Sequence, residues 1–130
     1  MNAMMSMPAG SALVPFLHNG GVLPQPFTKP IYLDSTYVAG SFYVEGFRGT
    51  AAALKPGDRI NFVREPENEH DPLAILVQNT DGKKLGYIPQ RFNKIPARLM
   101  DAGKFLYGKM KDLDTAYGRC ELHIGIYMQD

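Results

Sequence analysis

The chain has 130 residues, 45% of them hydrophobic, and a formal net charge of +1. That size and composition fit one soluble globular domain with or without a tail, and the charge argues against a strong general polyanion binder. No run approaches the roughly 18 to 20 apolar residues needed to cross a membrane, so a spanning helix is excluded.

The stretch from Met1 to Ser41 is broken repeatedly by Pro15, Gly20-Gly21, Pro24, Pro26 and Pro30. It opens with no basic region followed by an apolar core, so no secretory leader is expected and the cytoplasm is the expected location. Residues 1–35 are expected to form an irregular or partly disordered extension, and residues 36–130 the compact domain. Within the extension, Leu13-Val14-Pro15-Phe16-Leu17 and Ile31-Tyr32-Leu33 are apolar enough to dock on the domain or to pair with a second copy.

Tyr37 to Gly46 reads as a first strand, bent at Gly40. Phe47 to Thr50 reads as a turn and Ala51 to Leu54 as a helical turn or an extended link. Lys55-Pro56-Gly57-Asp58 is a turn, with Gly57 suited to positive φ. Arg59 to Val63 and Leu73 to Gln78 are strands, because apolar and β-branched residues dominate and turn formers bound them. Asn79-Thr80-Asp81-Gly82 favours a tight reversal into a fourth strand, Lys84 to Ile88.

Pro89 stands near a helix start. Phe92, Ile95 and Leu99 mark one face, and Arg91, Lys94 and Arg98 another, so this helix is amphipathic and basic. Pro96 predicts a division into two short turns, and Gly103 a C-terminal cap. Phe105 to Met110 and Arg119 to Tyr127 complete the strands, with Lys111 to Gly118 between them. The lone cysteine, Cys120, cannot close an internal disulfide and is expected as a small core residue. The expected architecture is all-β dominated, a small antiparallel barrel of about six strands with one short interrupted helix.

The connector Arg64-Glu65-Pro66-Glu67-Asn68-Glu69-His70-Asp71-Pro72 stands out between two strands. Pro66 and Pro72 fix their own φ and bias the residues before them toward extended geometry. A shaped connector of this kind either holds binding side chains or simply uses Asn68 and Asp71 to cap backbone amides. Arg64 either binds a phosphate or pairs with Glu65 or Glu67.

Catalysis finds little support. The four carboxylates of the connector lack the glycine-centred calcium-loop pattern, and His18, His70 and His123 form no zinc-like spacing. There is no nucleophile elbow, phosphate loop or dinucleotide fingerprint. No metal or cofactor is expected.

A nucleic-acid site has more ingredients. Arg48 offers a forked donor set, Asn68 and Asp71 offer polar groups for a base or sugar, and Tyr43, Phe47, Tyr87 and Phe92 offer rings that serve either as core or as stacking surfaces. Basic residues also dominate from Lys83 to Lys111, where Asp101 is the only acid, while acids dominate from Glu45 to Asp81. Such an asymmetry makes either a positive face beside a negative one or an ordinary charged surface.

The ordered elements Val44-Glu45-Gly46-Phe47-Arg48, Gly57-Asp58-Arg59-Ile60, Val63 to Asp71, Ala74-Ile75-Leu76-Val77 and Leu85-Gly86-Tyr87-Ile88-Pro89 resemble the HIRAN domain. That module is found at the N-terminus of HIP116/Rad5-type DNA-remodelling proteins and alone in some bacterial proteins. The resemblance runs from about Phe42 to Tyr127 and fits a stand-alone member. It implies a modified OB-like barrel that recognises single-stranded DNA at a free 3′ end, in DNA repair or remodelling. Carried over by motif, it assigns nucleic-acid contacts to Arg48, Asn68, His70 and Asp71, and to Lys84 and Tyr87 on the following strand.

Three positions depart from the DNA-binding branch. Gly49 and Thr50 replace aromatics after the arginine, and His70 replaces a tyrosine before the aspartate. The implied partners are single-stranded DNA or DNA ends and a helicase or nuclease, with the N-terminal extension available for self-association. The competing reading is a protein-interaction or assembly module that has lost DNA-end binding.

Overall fold

The computed structural model describes residues 29–129. Docking of residues 13–17, a role for His18 and self-association through the extension lie outside the described residues.

The observed strands are β1 (Pro30–Tyr37), β2 (Arg59–Arg64), β3 (Ile75–Gln78), β4 (Lys84–Tyr87), β5 (Phe105–Asp114) and β6 (Glu121–Gln129). The helices are α1 (Phe47–Ala52) and α2 (Gln90–Asp101). Short 3-10 turns cover Ser41–Tyr43 and Ala116–Gly118. Five of the expected strands overlap β2, β3, β4, β5 and β6, but the first strand does not form where it was expected. Gly40 and Gly46 both take left-handed backbone, at φ 74° and 77°, which breaks the apolar run from Tyr37 into a 3-10 turn and a helix. The strand instead precedes it and starts on Pro30, opposite Gln129 at the outer end of an edge strand. Proline is tolerated there because its missing N–H takes nothing from the ladder.

All six strands pair antiparallel in the order β1-β6-β5-β2-β3-β4. The expected all-β OB-like barrel is therefore corrected: this is a mixed α/β domain whose sheet is open. Its two edge strands, β1 and β4, share no ladder, and one isolated bridge joins Ala39 to Tyr87. The physical cause is Gly40, which diverts the chain into a turn immediately after that bridge. Ser41 then donates its hydroxyl to the Leu85 carbonyl at 2.9 Å, so a turn covers the β4 edge where a strand would have closed the barrel.

The core lies on one face of the sheet. Ile60, Ile75, Val77, Leu85, Leu122 and Ile124 are fully excluded from solvent, and Cys120 packs against this cluster half-buried. Phe47 and Ala51 of α1 join it.

Helix α2 is rotated away from its expected orientation. Phe92 is 38% exposed and Ile95 71% exposed, whereas Asn93, Pro96 and Ala97 are buried. Small residues at these i, i+3 and i+4 positions let the helix approach the domain closely. Pro96 lies inside one continuous helix and does not divide it. It removes one backbone donor, a loss offset by the packing of its ring. Gly103 ends α2 at φ 92°, with Lys104 N–H on the Leu99 carbonyl and Gly103 N–H on the Met100 carbonyl, both at 3.0 Å. This paired arrangement is a Schellman cap.

The opposite face carries a cross-strand row in which Tyr32, Tyr127 and Tyr107 are register partners on β1, β6 and β5. The Arg59 guanidinium lies 3.9 Å from the Tyr107 ring centre. Such pairs stabilise a sheet locally.

On the same face His123 is held between Asp112, 2.6 Å from Nδ1, and Glu121, 2.9 Å from Nε2. The hydrogen bond to Asp112, then that to Glu121, raises its pKa against the effect of burial. This stabilisation is complete below the ordinary histidine value and fades as pH rises through the raised folded value. Thermal melts should show the advantage of wild type over His123→Gln largest near about pH 6 and shrinking by about pH 9. A difference that grows with pH would contradict the pairing.

Candidate functional site

The connector between β2 and β3 is a fixed scaffold. Its ends are tied by Glu65 N–H to the Ala74 carbonyl at 3.0 Å, and two internal turns close at Asn68 N–H to Glu65 and Ala74 N–H to Asp71. The Asn68 Oδ1 accepts from the His70 and Asp71 amides at 2.8 and 3.1 Å. Asp71 Oδ1 accepts from the Leu73 amide at 2.9 Å. Capping by Asn68 and Asp71 is therefore real, and it holds the same two side chains at the surface of a cleft.

That cleft, about 220 Å³, is bordered by Asn68, His70 and Asp71 on one side and by Tyr87, Pro89 and Gln90 on another. Ala39 and Gly40, beside the isolated bridge, complete its rim. Its volume lies below the roughly 300 to 1,000 Å³ of sites for drug-sized ligands, so it has room for one small group only.

Behind the wall, Glu65 Oε1 accepts from the Tyr87 hydroxyl at 2.8 Å and from Asn68 Nδ2 at 3.0 Å. Burial, then the Glu65 hydrogen bond and charge, push the Tyr87 phenol up, so it stays protonated and donating. Asp71 Oδ2 accepts from the buried Asn93 amide at 2.7 Å. Each Asp71 oxygen keeps a second lone pair for an incoming donor.

Arg64 pairs with a distant acid and not with Glu65 or Glu67 beside it. Its guanidinium grips both carboxylate oxygens of Asp101 at 2.8 and 3.0 Å, and donates to the Ala74 carbonyl at 2.9 Å. This bidentate pair holds the Asp101 carboxyl below its ordinary pKa. The connector thus pins α2 near both ends, through Asn93 and Asp101.

The HIRAN domain family matches residues 32–129. The chain belongs to the HIRAN domain family. A solved protein from Lactobacillus plantarum is 33% identical, with a TM-score of 0.71 over 77% of this chain and 95% of that chain. The crystal structure of the human HLTF HIRAN domain is 20% identical, with a TM-score of 0.56 over 78% of this chain and 81% of that one. The HLTF HIRAN domain in its DNA-bound conformation is 19% identical, with a TM-score of 0.53 over 82% of this chain and 84% of that one. The two HLTF structures share the fold. No curated protein matches the chain.

In this HIRAN domain, four of the six residues expected to contact nucleic acid, Asn68, His70, Asp71 and Tyr87, gather around one cleft. Lys84 stands beside them, its Nζ 4.8 Å from the Tyr87 ring centre. Arg48 stands apart on α1 and donates to the Gly118 carbonyl at 3.1 Å. Sequence reasoning missed Asn93 and Asp101, the partners that hold the connector. Among the described residues, no group of three or more His, Cys, Asp or Glu side chains is placed to hold a metal, and no helix is long and apolar enough to cross a membrane.

Proposed function

We propose that this HIRAN domain is a non-catalytic module that binds single-stranded DNA and seats a free 3′ end in the cleft of Asn68, His70, Asp71 and Tyr87. The observation that carries the reading is Asp71. Its carboxylate is held at the cleft by Leu73 and Asn93, accepts hydrogen bonds and donates none. A terminal hydroxyl can donate to it, whereas a terminal phosphate would meet like charge. The cleft also lies at the N-terminus of α2, where Pro89 and Gln90 line it, and helix N-termini favour the phosphates farther along a strand. Arg91, Lys94 and Arg98 are exposed on the same helix and extend the positive field. The DNA-bound conformation solved for the HLTF domain supports the same ligand class. Acting without an enzymatic step of its own, the module serves a helicase or nuclease partner in DNA repair, in the cytoplasm.

Fluorescence anisotropy with one oligonucleotide sequence, ending in either a 3′-hydroxyl or a 3′-phosphate, tests this reading. The hydroxyl form is expected to bind about tenfold tighter, the scale of one charge-assisted hydrogen bond. Both affinities should fall with added salt. Equal affinities would remove end recognition, and no binding by either would remove the DNA reading.

A further inference from the structure

On the face of the sheet opposite the core, Arg59 of β2 and Lys109 of β5 are register partners, with Cβ atoms roughly 5 Å apart. Like charges placed directly opposite each other destabilise a sheet. Neither cation pairs with a carboxylate among the described residues. The acids farther along this face, Asp112 and Glu121, are engaged by His123. Each cation lies on a ring instead. The Arg59 guanidinium is 3.9 Å from the Tyr107 ring centre and 5.4 Å from that of Phe105, and Lys109 Nζ is 4.9 Å from that of Tyr127. A ring offsets part of a cation's charge and takes none of its N–H donors, so both remain able to hold an anion.

The rings beside the two cations say what carries that anion. Phe105, Tyr107, Tyr127 and Tyr32 touch in succession, with neighbouring centroids 5.8, 5.7 and 5.5 Å apart. The row is open at both ends, where Phe105 is 52% and Tyr32 54% exposed. Within it Tyr107 is 4% exposed, yet its hydroxyl has no hydrogen-bond partner among the described residues. A buried hydroxyl of this kind is a polar group still to be satisfied. An acidic peptide would neutralise the cations and leave the open rings in water. A single nucleic-acid strand meets both, with phosphates on the cations and base faces on the rings. None of these residues borders the cleft of Asp71 and Tyr87.

We propose that this face of the sheet is a second nucleic-acid surface, on which Arg59 and Lys109 hold phosphates of a single strand and Phe105 and Tyr32 stack its bases. It contacts the interior of a strand and needs no free end, so it stands or falls independently of end recognition. Its binding tolerates any sequence, because every base has a π-face and every nucleotide a phosphate.

Circular single-stranded DNA has no 3′ end and therefore reports on this surface alone. Anisotropy with a labelled circle and the full chain compares wild type with Arg59→Gln, Lys109→Gln, Arg59→Lys, Phe105→Leu and Tyr32→Leu. Wild type is expected to bind the circle. Each glutamine variant should weaken binding about tenfold and flatten the slope of log affinity against log salt by about 0.7, while Arg59→Lys keeps the slope. Each leucine variant should weaken binding about fivefold or more at an unchanged slope. Thermal melts on the same preparations verify folding, and the leucine variants decide the outcome if a glutamine variant fails to fold, since their rings are half in solvent. Labelled poly-glutamate, which has charge but no bases, should bind far more weakly than the circle. Equal binding of the two would overturn the nucleic-acid assignment in favour of an acidic protein segment. If wild type does not bind the circle, or if every variant binds it as wild type does, this surface is overturned while the end cleft stands. Circle binding that the variants weaken, together with equal affinity for linear strands ending in 3′-hydroxyl and 3′-phosphate, would support this surface and remove the end cleft.

Discussion

Gly86→Ala is expected to destabilise the domain by about 3 kcal/mol, through forbidden backbone and overpacking together. Gly86 sits in β4 at φ 149°, outside the range that side-chain-bearing residues adopt readily. A Cβ there would stand 2.4 Å from the Ala39 carbonyl oxygen and 2.7 Å from Val38 Cγ1. The first of these is backbone and cannot swing aside. It belongs to the isolated bridge, whose two hydrogen bonds between Ala39 and Tyr87 measure 2.7 and 2.8 Å. The substitution therefore pries the turn at Gly40 away from β4 and opens the rim of the cleft, so DNA affinity should fall along with stability. Gly49→Ala is the contrast. Nothing lies within 4 Å of a Cβ at that position, and alanine is the better helix former by up to about 1 kcal/mol. Urea denaturation of the two variants should move in opposite directions. A Gly86→Ala protein as stable as wild type would disprove the close approach.

Asp71→Ala should lower affinity for a free 3′ end about tenfold or more, the worth of a hydrogen bond to a charged group. It should also cost about 1 to 3 kcal/mol of stability, because the buried Asn93 amide is left without its acceptor. The two effects separate in a double variant, Asp71→Ala with Asn93→Leu. Removing both polar partners eliminates the orphaned donor and should recover much of the stability, while the DNA end still lacks its acceptor. Urea melts and anisotropy on the same preparations check both halves. Full affinity in a folded Asp71→Ala protein would show that the end is held elsewhere.

The connector was legible because its signals are local. The strands on either side alternate, two prolines restrict the path between them, and Asn68 and Asp71 bond amides within three residues of themselves. The helix was legible only in its existence and its cap. Its apolar spacing pointed to a buried Phe92–Ile95–Leu99 stripe, yet Ile95 is exposed and Asn93 is inside. Two polar pins override periodicity here, Asn93 to Asp71 and Asp101 to Arg64, each separated by tens of residues in the chain. Arg64 reads locally as either a phosphate ligand or a partner of Glu65 or Glu67, and Asp101 is not among the options, since a partner distant in sequence leaves no local trace.

The sequence by itself determined the strands from β2 to β6, the turns at Gly57 and Gly82, the cap at Gly103 and the connector that builds the cleft. These depend on φ preferences and on alternation over a few residues, and such energies are carried by the local chain. Only the tertiary structure decided that the sheet stays open, that β1 begins at Pro30, that α2 turns its small residues inward and that Arg48 stands away from Asp71. Those outcomes depend on which distant groups meet once the chain is compact. A close backbone approach at Gly86, a buried amide on Asp71 and a bidentate arginine on Asp101 each fix one of these choices through contacts that no short window of sequence contains.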